Sequence, residues 1–130
     1  MKYIIQTTIR LIFALSFIIS GLNGFLQFAP PPQLTPQAEA LFVAFEKTTF
    51  FFPLIKSIET VAGLFLLLNL YVPFAILLIL PLLVGITLIH LFLNPAGLPP
   101  IIFLNTLHVF LAYSYREYFR ELFTQRAKPS

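Results

Sequence analysis

Residues 61–115 contain no Asp, Glu, Lys or Arg. That run is 55 residues long, and a single membrane-spanning helix needs roughly 20. No water-soluble fold can bury so long an uncharged stretch in a chain of 130 residues. The rest of the chain agrees. It is 58% hydrophobic and 10% charged, with a mean hydropathy of +0.91. These features predict an all-α, polytopic transmembrane four-helix bundle. Lipid offers no partner to open backbone, so every span must be helical.

The four spans are expected at about residues 8–28, 53–70, 73–93 and 100–116. Pro53, Pro73 and Pro100 fall at span starts, where a missing N–H costs little. Pro81 falls inside the third span and is expected to kink it. The first outer loop, 29–49, opens with the stiff stretch APPPQLTP. Thr35-Pro36 then reads as an N-cap with proline at the first helical position. In the following PQAEALFVAFEK, Leu41, Phe42 and Phe45 share one side and Glu39 and Glu46 another. This predicts a short amphipathic helix at the membrane interface or over the bundle mouth. The first span could also be read as a cleaved signal peptide ending at Ser20-Gly21. Arg10 before the apolar run, and its continuation to Phe28, favour a retained helix. The whole chain is therefore expected to form one transmembrane domain.

Basic residues predict orientation. The tail, 117–130, carries Arg120, Arg126 and Lys128, with Arg116 just before it, and the N-terminal segment carries Lys2 and Arg10. Loop 29–49 has only Lys47 beside two glutamates. The positive-inside rule places both termini in the cytoplasm of a bacterial inner membrane. The basic balance is that of membrane topology, with no nucleic-acid partner implied. The absence of cysteine excludes disulfides, a thiol relay and cysteine-ligated metal.

With that topology the polar residues are expected to gather in the outer half. Asn23 ends span one, Lys56 and Glu59 open span two, His90 and Asn94 end span three, and Asn105 and His108 open span four. Ser16, Ser20, Asn23 and Gln27 recur at helical spacing and form one stripe. Two charges at mid-bilayer cost about 2.5–3.5 kcal/mol each, and ten apolar residues of span two return roughly 3–6 kcal/mol. Span two therefore inserts with little surplus. Lys56 can snorkel, whereas Glu59 needs a partner, a proton or a wet pocket. Its candidate partners are Lys56, His90, His108 and Asn105. The candidate ligand-binding set is thus Asn23, Lys56, Glu59, His90, Asn94, Asn105 and His108, with Glu59, His90 and His108 as candidate proton carriers. Each residue also has a plainer reading. Lys56–Glu59 would be a structural ion pair, the asparagines interhelical glue, and Arg10 a topology anchor. A bis-histidine haem is disfavoured, because His90 and His108 should differ in depth by roughly 7 Å. No phosphate loop, nucleophile elbow or zinc motif is present.

RLIFALSFIISGLNGF, with Arg10, Ser20 and Gly21, resembles the opening helix of the DoxX-like family of small four-helix membrane proteins. IETVAGLFLLLNLYVPFAILLILPLLVGITLIHLFLNP resembles its middle pair: glutamate and glycine early in helix two, proline opening helix three, histidine late in it. The resemblance covers about residues 10–118. Ala14 stands where the family's glycine is expected, and Asn23-Gly24 where a basic residue often occurs. Relatives include the small membrane subunit of a thiosulfate:quinone oxidoreductase and members tied to membrane redox complexes. The resemblance implies a redox-linked, quinone-facing role, carried over to Glu59, His90 and Asn105.

Three functions follow as expectations. The first is a redox-linked membrane subunit with an outward polar pocket for a quinone-like or other lipophilic molecule, at most the membrane subunit of a quinone-linked oxidoreductase. Its electrons would come from a membrane or redox partner protein. The second is a structural accessory subunit with no substrate, for which a homo-oligomer is compatible. The third and least favoured is a small transporter, since no inverted repeat is visible.

Overall fold

The computed structural model describes residues 1–130. Five α-helices follow in order: α1 (Lys2–Leu26), α2 (Pro36–Lys47), α3 (Phe51–Leu68), α4 (Val72–Leu93) and α5 (Leu98–Ser114). Short 3₁₀ segments occupy Pro95–Gly97 and Arg116–Phe123. There is no strand. Four segments are long and apolar enough to cross a membrane: α1, α3, α4, and α5 together with the turn before it.

Proline and polar caps set the helix ends. Pro53, Pro73 and Pro100 all lie in first turns, where N–H groups have no intrahelical partner. Pro81 sits inside α4, which continues through it. α3 ends on Asn69 in the left-handed conformation (φ 58°), a role asparagine fills after glycine. Tyr71 also takes positive φ (50°), which is costly for a bulky residue. Its ring packs edge-on against Phe65 at 5.3 Å, which helps hold the tight α3–α4 turn.

The four spanning helices form a closed ring in the order α1, α3, α4, α5, with α5 returning against α1. The closest seam is α1 against α3. Small residues make it close: a Cβ at Gly21 would lie 2.8 Å from Thr60 N and 2.9 Å from Lys56 O. On α3, a Cβ at Gly63 would lie 2.7 Å from Ile18 Cγ1. Backbones can approach this far only where side chains are absent, the usual solution where lipid supplies no hydrophobic drive between helices. Inside the ring, Phe13, Leu66, Ile76, Ile79, Leu83 and Leu111 are fully buried.

The outside of the ring is as apolar as the inside. Leu15, Ile19, Leu64, Phe74, Leu88, Phe92 and Val109 are all exposed. Such a belt is unstable in water and suited to a bilayer. The hydroxyls of Ser16, Ser57, Thr60, Thr87, Thr106 and Ser114 each donate to the carbonyl four residues back, so none needs water.

α2 lies across the end of the bundle where α1 and α4 finish and α3 and α5 begin. Thr35 caps it by accepting from Ala38 N at 3.3 Å, and its hydroxyl donates to Leu93 O of α4. Phe45 stacks on Phe51 with centroids 4.0 Å apart, and Phe42 meets Phe52 at 5.9 Å. Ala38 is buried, Leu41, Phe42 and Phe45 are half-buried on the same face, and Glu39 and Glu46 are exposed. We call this the capped end, and the opposite one, carrying both termini, the tail end.

Candidate functional site

The residues that matter most lie on the α1–α3 seam. Lys56, Glu59 and Gly63 recur at helical spacing on α3 and face α1. Glu59 is 4% exposed. Its Oε2 accepts from Lys56 Nζ at 3.2 Å and from Ser20 Oγ at 3.1 Å. Lys56 Nζ also donates to Ser20 Oγ at 3.3 Å. The three form a closed triangle in which every edge is a hydrogen bond. The Lys56 stem covers Gly24, where a Cβ would lie 2.6 Å from its Cδ. Glycine there lets the lysine lie flat and reach inward.

Glu59 Oε1 has no hydrogen-bond partner in the chain, while no fully enclosed polar side-chain atom is orphaned. Glu59 lines a cavity of about 120 Å³ between all four spanning helices. Its walls are Ser16, Phe17 and Ser20 from α1, Glu59 from α3, Leu82, Leu83 and Ile86 from α4, and Ile101 and Leu104 from α5. On the other side of Lys56 lies a polar vestibule of about 260 Å³ at the capped end, bordered by Gly24, Gln27, Glu46 and Thr49. Lys56 lines the vestibule and bonds the triangle, so it stands between the two spaces.

The other expected site residues do not join this cluster. Asn23 caps the end of α1, its Oδ1 accepting from Ala29 N at 2.8 Å. His90 donates from Nδ1 to Ile86 O at 2.8 Å, and its ring packs with Asn94 around Gly97. A Cβ at Gly97 would lie 2.9 Å from His90 Nε2 and 3.1 Å from Asn94 Nδ2. Asn105 donates to Thr87 Oγ1 at 2.9 Å and to Ile101 O at 2.8 Å, tying α5 to α4. His108 is 5% exposed and donates from Nε2 to Ile76 O at 2.9 Å. A carbonyl can only accept, so that nitrogen carries the proton.

Two depth expectations need correction. His108 lies past the middle of α5 and bonds the first turns of α4, so it belongs to the tail-end half. The reason is that α5 starts at Leu98, so His108 is its eleventh residue and meets the Ile76 carbonyl in the opposite half of α4. Nor do the buried polar side chains all gather at the capped end. Arg10 is buried in the tail-end half, and its Nη1 donates to Leu66 O and, at 3.5 Å, to Leu67 O. Because α1 begins at Lys2, ahead of the expected residue 8, Arg10 sits two turns inside a helix rather than at its edge. It ties down carbonyls of the last turn of α3, of which Leu66 O also accepts from Asn69 N, and carries a basic charge near the N-terminus. The two histidines are anchored on carbonyls of Ile76 and Ile86, ten residues apart on α4. That is about 15 Å along the axis, so they do not converge on one group.

Ser20 and Ser16 are the site residues that sequence reasoning left out. Their signal was the polar stripe on α1, which the structure turns towards Glu59 at Ser16 and Ser20 and towards the vestibule at Gln27. No curated protein and no solved structure matches the chain. A model of the DoxX family matches residues 5–91, from the first turn of α1 to near the end of α4, and so includes Arg10, Ser20, Lys56, Glu59 and His90. On that match and on its four apolar spanning helices, the chain belongs to the DoxX family of integral membrane proteins.

Proposed function

We propose that the protein is a redox-linked membrane subunit whose Glu59 cavity takes the headgroup of a quinol or a similar lipophilic hydroxyl compound. The observation that carries this reading is Glu59, with Oε1 unpaired in the chain, on the wall of a mostly apolar cavity. A carboxylate oxygen only accepts, so it suits a hydroxyl donor. A cavity of about 150 Å³ holds benzene, and this one is about 120 Å³. Being somewhat smaller, it admits at most one unsubstituted ring, with the tail passing between helices into lipid. Bound there, such a ligand would supply electrons and protons. The chain's own part is to hold a hydroxyl proton at Glu59 Oε1, keep the carboxylate paired to Lys56 and Ser20, and exclude bulk water with Phe17, Leu83 and Leu104. Lys56 connects that carboxylate to the vestibule, a route for protons but not for the apolar tail.

The test is native mass spectrometry of gently solubilised protein, with identification of released lipophiles. One ring-bearing lipophile per chain, lost in Glu59→Gln, supports the reading. A chain that releases only bulk lipid, with the variant identical, sinks it. A second reading rests on the same triangle. Because Oε2 is already fully paired, Lys56–Glu59–Ser20 also fastens α3 to α1, as in an accessory subunit with no substrate.

We further propose that the tail end, with both termini, faces the cytoplasm of a bacterial inner membrane. Lys2, Arg116, Arg120, Arg126 and Lys128 lie at that end, against Lys47 at the other. The chain has no cysteine, so single cysteines can be placed cleanly. Cysteine at Ser130 should resist an impermeant maleimide in intact cells, and cysteine at Gln33 should react. The opposite pattern reverses the orientation.

A further inference from the structure

Arg10 presents a problem that its two carbonyl partners do not solve. The residue is 9% exposed and only Nη1 is bonded within the chain. Nε and Nη2 have no protein partner, and no fully enclosed polar atom is orphaned, so these donors reach open space. That space is a cavity of about 220 Å³ at the tail end, with Gln6, Thr7, Asn69 and Ser114 on its walls. Each of these side chains can donate a hydrogen bond.

The charge there is unbalanced. The chain has five acidic residues. Glu59 is paired to Lys56 and Glu117 to Arg120, and none of the five lines the Arg10 cavity. The carbonyl end of α3 contributes about half a negative charge, which leaves a buried guanidinium partly uncompensated. Burying such a charge is costly unless something pairs it.

A second cavity, of about 400 Å³, adjoins the first and shares Gln6 and Ser114 with it. It lies between the start of α1 and the end of α5. Lys2 and Arg116 stand on its rim, and Ile5 and Phe110 supply apolar wall. Again no acid is present. Three cations, a donor-rich chamber and an apolar flank thus meet in one groove at the edge of the spanning region.

We propose that this groove binds the phosphate of an anionic glycerophospholipid. The phosphate sits on the free Nε and Nη2 of Arg10, which suit a forked contact. Lys2 and Arg116 face the headgroup's net negative charge, and the glycerol and first acyl carbons lie on Ile5 and Phe110. The apolar flank is what selects a lipid over free phosphate.

The test is native mass spectrometry of the full chain titrated with dioleoyl-phosphatidylglycerol, dioleoyl-phosphatidylcholine or inorganic phosphate. The expected result is one phosphatidylglycerol per chain, retained at least about tenfold better than phosphatidylcholine. In Arg10→Gln that retention should fall at least about tenfold. Arg10 also holds the end of α3, so the double variant Lys2→Gln/Arg116→Gln is measured alongside. It keeps Arg10, alters only exposed side chains, and should lower the preference for phosphatidylglycerol over phosphatidylcholine. Three results overturn the proposal: both lipids held equally by the native chain, a preference unchanged in the double variant, or inorganic phosphate bound as tightly as the lipid.

Discussion

Gly21→Val should abolish the folded bundle. Any Cβ at this position meets backbone of α3, at 2.8 Å from Thr60 N and 2.9 Å from Lys56 O. Backbone cannot swing aside as a flexible side chain can. α1 would have to move off α3, and the contacts of Gly63 with Ile18 and Ala14 would open with it. Overpacking a well-filled site costs about 1–3 kcal/mol even where side chains can adjust, and here they cannot. Against a total stability of about 5–15 kcal/mol, only a loss above about 5 kcal/mol leaves little folded protein, and a clash with backbone at two atoms exceeds what side-chain overpacking costs. Gly85→Ala is the control, because a Cβ there meets nothing within 4 Å. Thermal unfolding in detergent, followed by size-exclusion chromatography, should show aggregated or absent Gly21→Val and unimpaired Gly85→Ala. A native-like Gly21→Val would show that the α1–α3 approach is not as close as described.

The second large effect concerns the ion pair. Lys56→Met should destabilise the protein by about 3 kcal/mol, the low end of the range for stranding one buried partner. The low end applies because the Lys56 side chain keeps 24% of its surface exposed while Glu59 keeps 5%. Adding Glu59→Gln to Lys56→Met removes the stranded charge and should recover most of that loss. The double-mutant cycle isolates this coupling, since the two residues touch directly. Additive losses would mean that Glu59 is solvated without Lys56, and the closed triangle would be the wrong description.

The helices themselves were readable from the sequence, because a long uncharged run, proline at three starts and a Thr-Pro cap are local signals. Lys56 and Glu59 could be paired in advance for the same reason: three residues apart on a helix places them side by side. What could not be read was which groups of neighbouring helices meet. Asn105 and His108 lie on one face of α5, yet one bonds Thr87 near the end of α4 and the other Ile76 near its start. Polarity marks both as needing a partner but does not say which carbonyl or hydroxyl supplies it. Arg10 is the sharpest case, since its partners lie 56 and 57 residues away on α3. Asn23 failed in the opposite way, satisfying itself six residues on, at Ala29, where a long-range contact was expected.

The proposed role rests on Glu59 receiving a hydroxyl donor in the cavity it lines. The most direct measurement is the dissociation constant of a decyl-substituted benzoquinol for purified native protein and for Glu59→Gln, read from ligand-induced stabilisation under anaerobic conditions. Replacing a carboxylate acceptor by an amide removes a charge-assisted hydrogen bond, worth about 1.5–3 kcal/mol. Saturable binding to the native chain should weaken at least about tenfold in the variant. Equal affinity in the two proteins, or no saturable stabilisation of the native one, would contradict it.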